Sequence, residues 1–179
     1  MLRRPIGAAA VFLVCVWVAG LGTVAAAPTP VPDGRPDLNS MTFLIGTWKC
    51  DALVRGKSRA DTITYSLGYD NRWLLSHDVA PPFDQYRTRP ITSDAWTTYN
   101  PLTHQWVQIT LDDFGSYVMA TSPGWKDGSL TWTSTVANDG STGHDTFTKV
   151  SDTQTKDIAG GADPSGKPGP TVTTTCSKQ

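Results

Sequence analysis

Few residues in this chain could do chemistry: three His, three Cys and sixteen acidic side chains, all of them Asp. His77 lies in the run Trp73-Leu74-Leu75-Ser76-His77-Asp78-Val79, on the same alternating face as Trp73, Leu75 and Val79. An imidazole among aromatic side chains can hydrogen-bond a ligand or bind haem iron. The plainer alternative is a histidine satisfied by a neighbour. His144 opens a strand-like run, and the Asp145 that follows could orient its ring. The plainer alternative there is a polar pair beside a turn. His104, in Pro101-Leu102-Thr103-His104, reads as a solvated loop residue.

Asp112 and Asp113 are adjacent, so in a strand they point to opposite faces, and no EF-hand spacing surrounds them. No G-x-S-x-G, phosphate-binding loop or H-E-x-x-H occurs. Nothing in the spacing of Ser, His and Asp picks out a triad.

The cysteines depend on compartment. Met1-Leu2-Arg3-Arg4 is basic, residues 6–24 are apolar, and Val24-Ala25-Ala26-Ala27 supplies small residues. This is the form of a secretory signal peptide, residues 1–26, cut after Ala26. An uncleaved membrane anchor is the alternative, since the apolar stretch approaches spanning length. Residues 27–40 form a Pro-rich linker. Residues 41–179 form one domain. Cys15 leaves with the leader, and Cys50 and Cys176 remain. In a secreted or periplasmic protein a disulfide between them is the natural reading. Two free thiols, or half of a metal site, is the alternative.

Composition narrows the function classes. The formal charge is -1, and losing Arg3 and Arg4 makes it -3. Nucleic-acid binding needs a basic face, so it is not expected. No stable membrane insertion is expected once the leader is removed, and no sequence signal bears on oligomeric state. Seven Trp, one of them in the leader, suit either a pocket for a small amphipathic or apolar ligand or a barrel packed shut by its own side chains.

The elements that must position these residues are strands. Period-two runs alternate with turn residues from residue 41 to the end. Strand-like runs cover 41–54, 61–69, 72–79, 91–99, 105–111, 116–121, 129–137, 144–150, 153–158 and 171–177. Residues 81–90 make a longer aromatic, basic break that reads as a lid or an Ω-loop. Residues 159–170 are rich in Gly and Pro and read as a loop. About ten short strands without crossovers give an all-β, antiparallel up-and-down barrel, closed because closure removes the edges. The first and last strands are then neighbours, and Cys50–Cys176 fastens that seam.

Gly46-Thr47-Trp48 resembles the G-x-W signature of lipocalin-like, or calycin, barrels. Tyr99-Asn100-Pro101, Trp106-Val107, residues 112–117 and Ser122-Pro123-Gly124-Trp125 are similar to a group of bacterial secreted lipocalin-like proteins of unknown function. The likeness implies structural roles for Gly46 and Trp48 and a cavity for a hydrophobic ligand. More distantly the chain resembles nitrobindin-like barrels, which bind haem through a late-chain His; His144 is the corresponding position, although Lys49-Cys50 departs from their opening strand.

The resulting expectation is a secreted, non-enzymatic binder of a small hydrophobic or amphipathic molecule, with no cofactor. Its lining by strand face is Tyr65, Leu67, Trp73, Leu75, His77 and Trp132. The alternative is a haem protein with His144 or His77 as axial ligand. A buried acid with a strongly shifted pKa would bring an enzymatic reading back.

Overall fold

The structure, a computed structural model, describes residues 38–82 and 88–179. The leader, most of the 27–40 linker and the middle of the 81–90 segment lie outside the described residues. A 3₁₀ helix, Leu38–Leu44, is followed by eleven strands: β1 Gly46–Val54, β2 Lys57–Gly68, β3 Trp73–Ala80, β4 Ile91–Asn100, β5 Gln105–Asp112, β6 Tyr117–Ser122, β7 Trp125–Lys126, β8 Ser129–Ala137, β9 Thr142–Ser151, β10 Gln154–Ala162 and β11 Val172–Lys178. Sequential neighbours pair antiparallel, β1 pairs with β11, and β6 skips the two-residue β7 to pair with β8. Ten strands therefore close into an antiparallel barrel, with β7 as an extra strand on β8.

The seam is β1 against β11. Cys50 stands directly opposite Cys176, their Cα atoms are 4.0 Å apart, and the two are joined by a disulfide across 126 residues of sequence. Both are buried. Their bond therefore lies inside the wall, on the same face as Trp48 and Ala52.

The opening residues differ from the sequence expectation. Residues 41–44 are 3₁₀ helix rather than strand. Leu38, Met41 and Leu44 recur every third residue, the period of a 3₁₀ helix, so all three fall on one buried face. They join Trp48, Leu74, Trp106, Leu130 and Trp132 in the core cluster, and the helix plugs that end of the barrel. Trp48 is 1% exposed and its Nε1 donates to the Leu44 carbonyl at 2.6 Å. Phe43 meets the Trp48 ring edge-on, and Lys178 Nζ donates to the Phe43 carbonyl at 2.7 Å. Gly46 connects plug to strand at φ +122°, a conformation that side-chain-bearing residues rarely adopt; a Cβ there would lie 3.2 Å from Lys178 Cε.

Two other boundaries shift. Trp125 and Lys126, expected in a turn, form β7, and Trp125 packs on Phe43 and Phe147. Residues 159–162, expected in a loop, complete β10, where small side chains still pair fully with β9. No helix among the described residues is long and apolar enough to cross a membrane.

Replacing both cysteines by Ala removes a crosslink over a long loop and should cost up to about 4–5 kcal/mol in chemical denaturation. Trp48→Ala should cost about 3–5 kcal/mol, because the plug then loses both packing and a hydrogen bond. A double Cys variant that unfolds at the wild-type urea midpoint would show that strand pairing alone holds the seam.

Candidate functional site

Strand register decides which side chains enter the lumen. Side chains alternate across a strand and paired residues share a face. From buried Trp48, Cys50 and Ala52 on β1, the inward set on β2 is Ile63, Asp61 and Arg59, with Tyr65 and Leu67 following. Tyr65 pairs with Ser76, Ile63 with Asp78 and Leu67 with Leu74, so β3 turns Leu74, Ser76, Asp78 and Ala80 inward. On the far side buried Leu130 and Trp132 of β8 pair with Phe147 and Asp145 of β9. Asp157 of β10 pairs with Phe147, which brings Asp157 to the same face, beside Asp145.

This arrangement corrects half of the expected lining. Tyr65, Leu67 and Trp132 point inward. Trp73, Leu75 and His77 do not: they occupy the outer face of β3, opposite to Leu74 and Asp78. The reason is physical. Alternation along β3 separates two faces but both hold apolar residues, and the more apolar of the two is the outer one. Leu75 meets Trp96 there, Trp96 meets Ile109, and Ile109 meets Met119, a row of apolar side chains around the outside of the wall. Trp73, Trp96, Ile109 and Tyr69 line a solvent-open outer groove of about 380 Å³.

The histidines lie outside the lumen as well. His77 is 54% exposed, and its Nδ1 is 2.7 Å from Asp94 Oδ1 on β4. His144 pairs with Gly160 on the face opposite Asp145; a Cβ at Gly160 would come within 3.3 Å of its Cε1 and Nε2, so the missing side chain makes room for the ring. His104 sits in a turn with its Nδ1 3.4 Å from the Tyr99 hydroxyl. His144 nonetheless borders a cavity that Trp132 and Asp145 also line.

The lumen holds acids instead. Asp61, Asp78, Asp145 and Asp157 all point inward. Asp61 is 6% exposed and its Oδ2 receives Arg59 Nη2 at 2.7 Å, an ion pair between next-but-one residues on one face of β2. Asp61 Oδ1, Asp78 Oδ1 and Arg59 Nε are buried without a hydrogen-bond partner, and Asp145 and Asp157 are bonded only to each other. Burial pushes the Asp78 carboxyl up to about 6, and the nearby Asp61 charge adds to it. Burial also raises Asp145, to about 8, with the Asp157 charge reinforcing it. Asp157 is raised by burial too, and its contact with Asp145 opposes that rise. Two adjacent buried carboxyls cannot both ionise cheaply, so this pair holds one proton between them near neutral pH. Tyr65 stays firmly protonated: burial raises it first, then the charges of Asp78, Asp157 and Asp145. Its hydroxyl therefore stands between the β2–β3 acids and the β9–β10 acids.

Space accompanies these groups. A cavity of about 280 Å³ is bounded by Val118, Ala120, Trp132, Ala159, Gln108 and Asp145. A second, of about 190 Å³, includes Arg59, Asp78, Ala80 and Ile91. Only about 50 Å³ remains nearer the plug, between Met41, Leu44, Tyr65 and Trp132. The plug end is packed and the space lies beyond it. The acids were visible in the alternation: Asp61 shares period two with Ile63 and Tyr65, and Asp145 with Phe147. Alternation alone does not assign them to the lumen, because carboxylates on an inward face contradict the rule that buried charge is rare. Chemically the lumen can accept hydrogen bonds at several carboxylate oxygens, donate one from a protonated carboxyl, and cover an apolar body.

No family profile and no curated protein matches the sequence. Solved structures do. The chain is similar to Rv2717c from M. tuberculosis, with TM-score 0.60 at 7% identity over 79% of this chain and 96% of that one. It is similar to the S-type phycobiliprotein lyase CPES from Guillardia theta, with TM-score 0.59 at 7% identity over 80% of this chain and 93% of that one. At such identity the likeness is one of fold, a closed antiparallel β-barrel.

The acids set a pH dependence. A carboxyl raised in the folded state binds more protons folded than unfolded between its ordinary value and its raised one. Stability then falls as pH rises through that window. Here the window runs from the ordinary value of 3.8 through about 6 for Asp78 and on to about 8 for Asp145. The melting temperature should therefore drop from about pH 5 to about pH 8, and Asp145→Asn should flatten the upper half of that slope. A slope unchanged by Asp145→Asn would place the linked proton elsewhere.

Proposed function

We propose that this protein is an exported, non-enzymatic carrier that binds one small amphipathic molecule inside its barrel. The observation that supports this most is the cavity of about 280 Å³, with Trp132, Val118, Ala120 and Ala159 as apolar wall and Asp145 as polar group. Ligand sites pair an apolar lining with a few placed polar groups, and this volume sits at the small end of their range. Export rests on the leader-like residues 1–26 and agrees with the disulfide. The barrel likeness to a phycobiliprotein lyase fits a ligand-holding wall, and the lyase name applies to that protein alone.

The haem alternative needs an imidazole in the lumen. His77 lies on the outer face, and His144, which borders the cavity, alternates with Asp145 along β9, so this alternative has less support. The enzymatic alternative gains the Asp145–Asp157 pair, which can hold and give back a proton. Binding is the reading adopted, because Asp145 borders the apolar cavity beside Trp132.

A neutral, environment-sensitive fluorophore such as N-phenyl-1-naphthylamine should brighten on binding the full mature chain. Ala159→Phe, which fills the cavity, should weaken that binding by at least about tenfold, whereas Trp96→Ala in the outer groove should leave it within about twofold. The reverse pattern would move the site to the outer groove and end the carrier reading.

A further inference from the structure

The interior has more acceptors than donors. Asp61 and Asp78 face inward from one wall, and Asp145 and Asp157 from the other. Asp112 of β5 adds a carboxylate at the rim, where its Oδ1 already receives the backbone N–H groups of Phe114 and Ser116. Against these acids stands Arg59, spent on Asp61. The other cations with ends near the plug are engaged there. Lys178 bonds the Phe43 carbonyl, and Lys149 pairs with Asp152 and lies over the Phe43 ring. One oxygen each on Asp61 and Asp78 is buried without a hydrogen-bond partner, and Asp145 and Asp157 have only each other to bond.

Two carboxyls that have only each other to bond are costly to bury, and a donor-bearing ligand in the cavity beside Asp145 would offset that cost. A bare metal ion is a poor fit. Among the described residues no three His, Cys or Asp side chains converge on one point. The acids are instead distributed along the lumen on both sides of the Tyr65 hydroxyl. Distributed acceptors suit a group with several N–H donors on an organic body. An ammonium offers three donors and no acceptor. Trp132 beside Asp145 offers an aromatic face to the body or to the cation itself.

We propose that the ligand is an organic cation: a protonated amine on a small apolar or aromatic body, its ammonium group seated on the Asp145–Asp157 pair. The proposal rests on the lumen being the binding site. It adds the charge of the occupant. An ammonium at this pair ionises it fully, so binding near neutral pH expels the shared proton to solvent. Arg59, Asp61 and Asp78 across the lumen, the neutral Tyr65, the rim Asp112 and His144, which borders the same cavity, complete the charged and titratable groups around it.

The test is isothermal titration of the mature chain near neutral pH with three molecules of one shape: phenethylamine, 2-phenylethanol and phenylacetate. The amine should bind at least about tenfold more tightly than the alcohol, and phenylacetate most weakly. Amine titrations in buffers of different ionisation enthalpy should show proton release, and alcohol titrations none. Asp145→Asn with Asp157→Asn should bring amine and alcohol within about twofold of each other and abolish proton release on amine binding. Should that variant fail to fold, the buffer series on the wild-type chain still decides. Equal affinity for amine and alcohol without proton release would overturn the charge assignment and leave the lumen site standing. Calcium chloride alone, binding as tightly as the amine, would overturn the organic assignment. Failure of all three molecules and of the neutral fluorophore would overturn the lumen site itself.

Discussion

Everything in this protein depends on closing one sheet on itself. A ten-strand meander has two edges, each a row of unpaired backbone groups. Pairing β6 with β8 and β1 with β11 removes both. Closure also turns half of every strand into an interior. The disulfide ties the pair of strands most distant in sequence, so the contact with the greatest loop-closure cost is the one made covalent. The plug follows from the same closure. A barrel with an empty end would leave Trp48 wet, and the 3₁₀ helix caps it with Leu38, Met41 and Leu44 while accepting its indole N–H.

Past the plug the interior stops behaving like an ordinary core. Near Leu44, Leu74, Leu130 and Trp132 the side chains are apolar and the space is nearly filled. Further along, Asp61, Asp78, Asp145 and Asp157 replace them and larger cavities open. Burying carboxylates without partners destabilises a fold. Raised proton affinities at Asp78, Asp145 and Asp157 are the folded chain's response. Destabilising groups placed beyond the plug, while the plug end is packed tightly, are the arrangement expected of a functional region rather than of a scaffold.

Much of the fold was legible in order along the chain. Alternation such as Thr62-Ile63-Thr64-Tyr65-Ser66-Leu67 can only be a half-buried strand, and Asn138-Asp139-Gly140 can only be a turn between two of them. Met41 to Leu44 was not legible, because a short apolar run fits strand and 3₁₀ helix equally well. Its spacing gains meaning only once there is a barrel end to cover. Residues 159–162 misled in the other direction, since Gly and Ala there keep strand pairing while lacking strand-forming side chains.

The sequence by itself determined the local period of the strands, the turns that separate them and which two cysteines could meet. Tertiary structure alone decided which face of each strand is inside. On β3 the apolar Trp73 and Leu75 went outward and Asp78 inward, because register against β2 follows the buried Trp48 and Cys50 rather than the hydrophobicity of β3 itself. Periodicity fixes that two faces exist. Only the neighbouring strands fix which of them looks into the lumen, and so the site could not be read from one chain segment at a time.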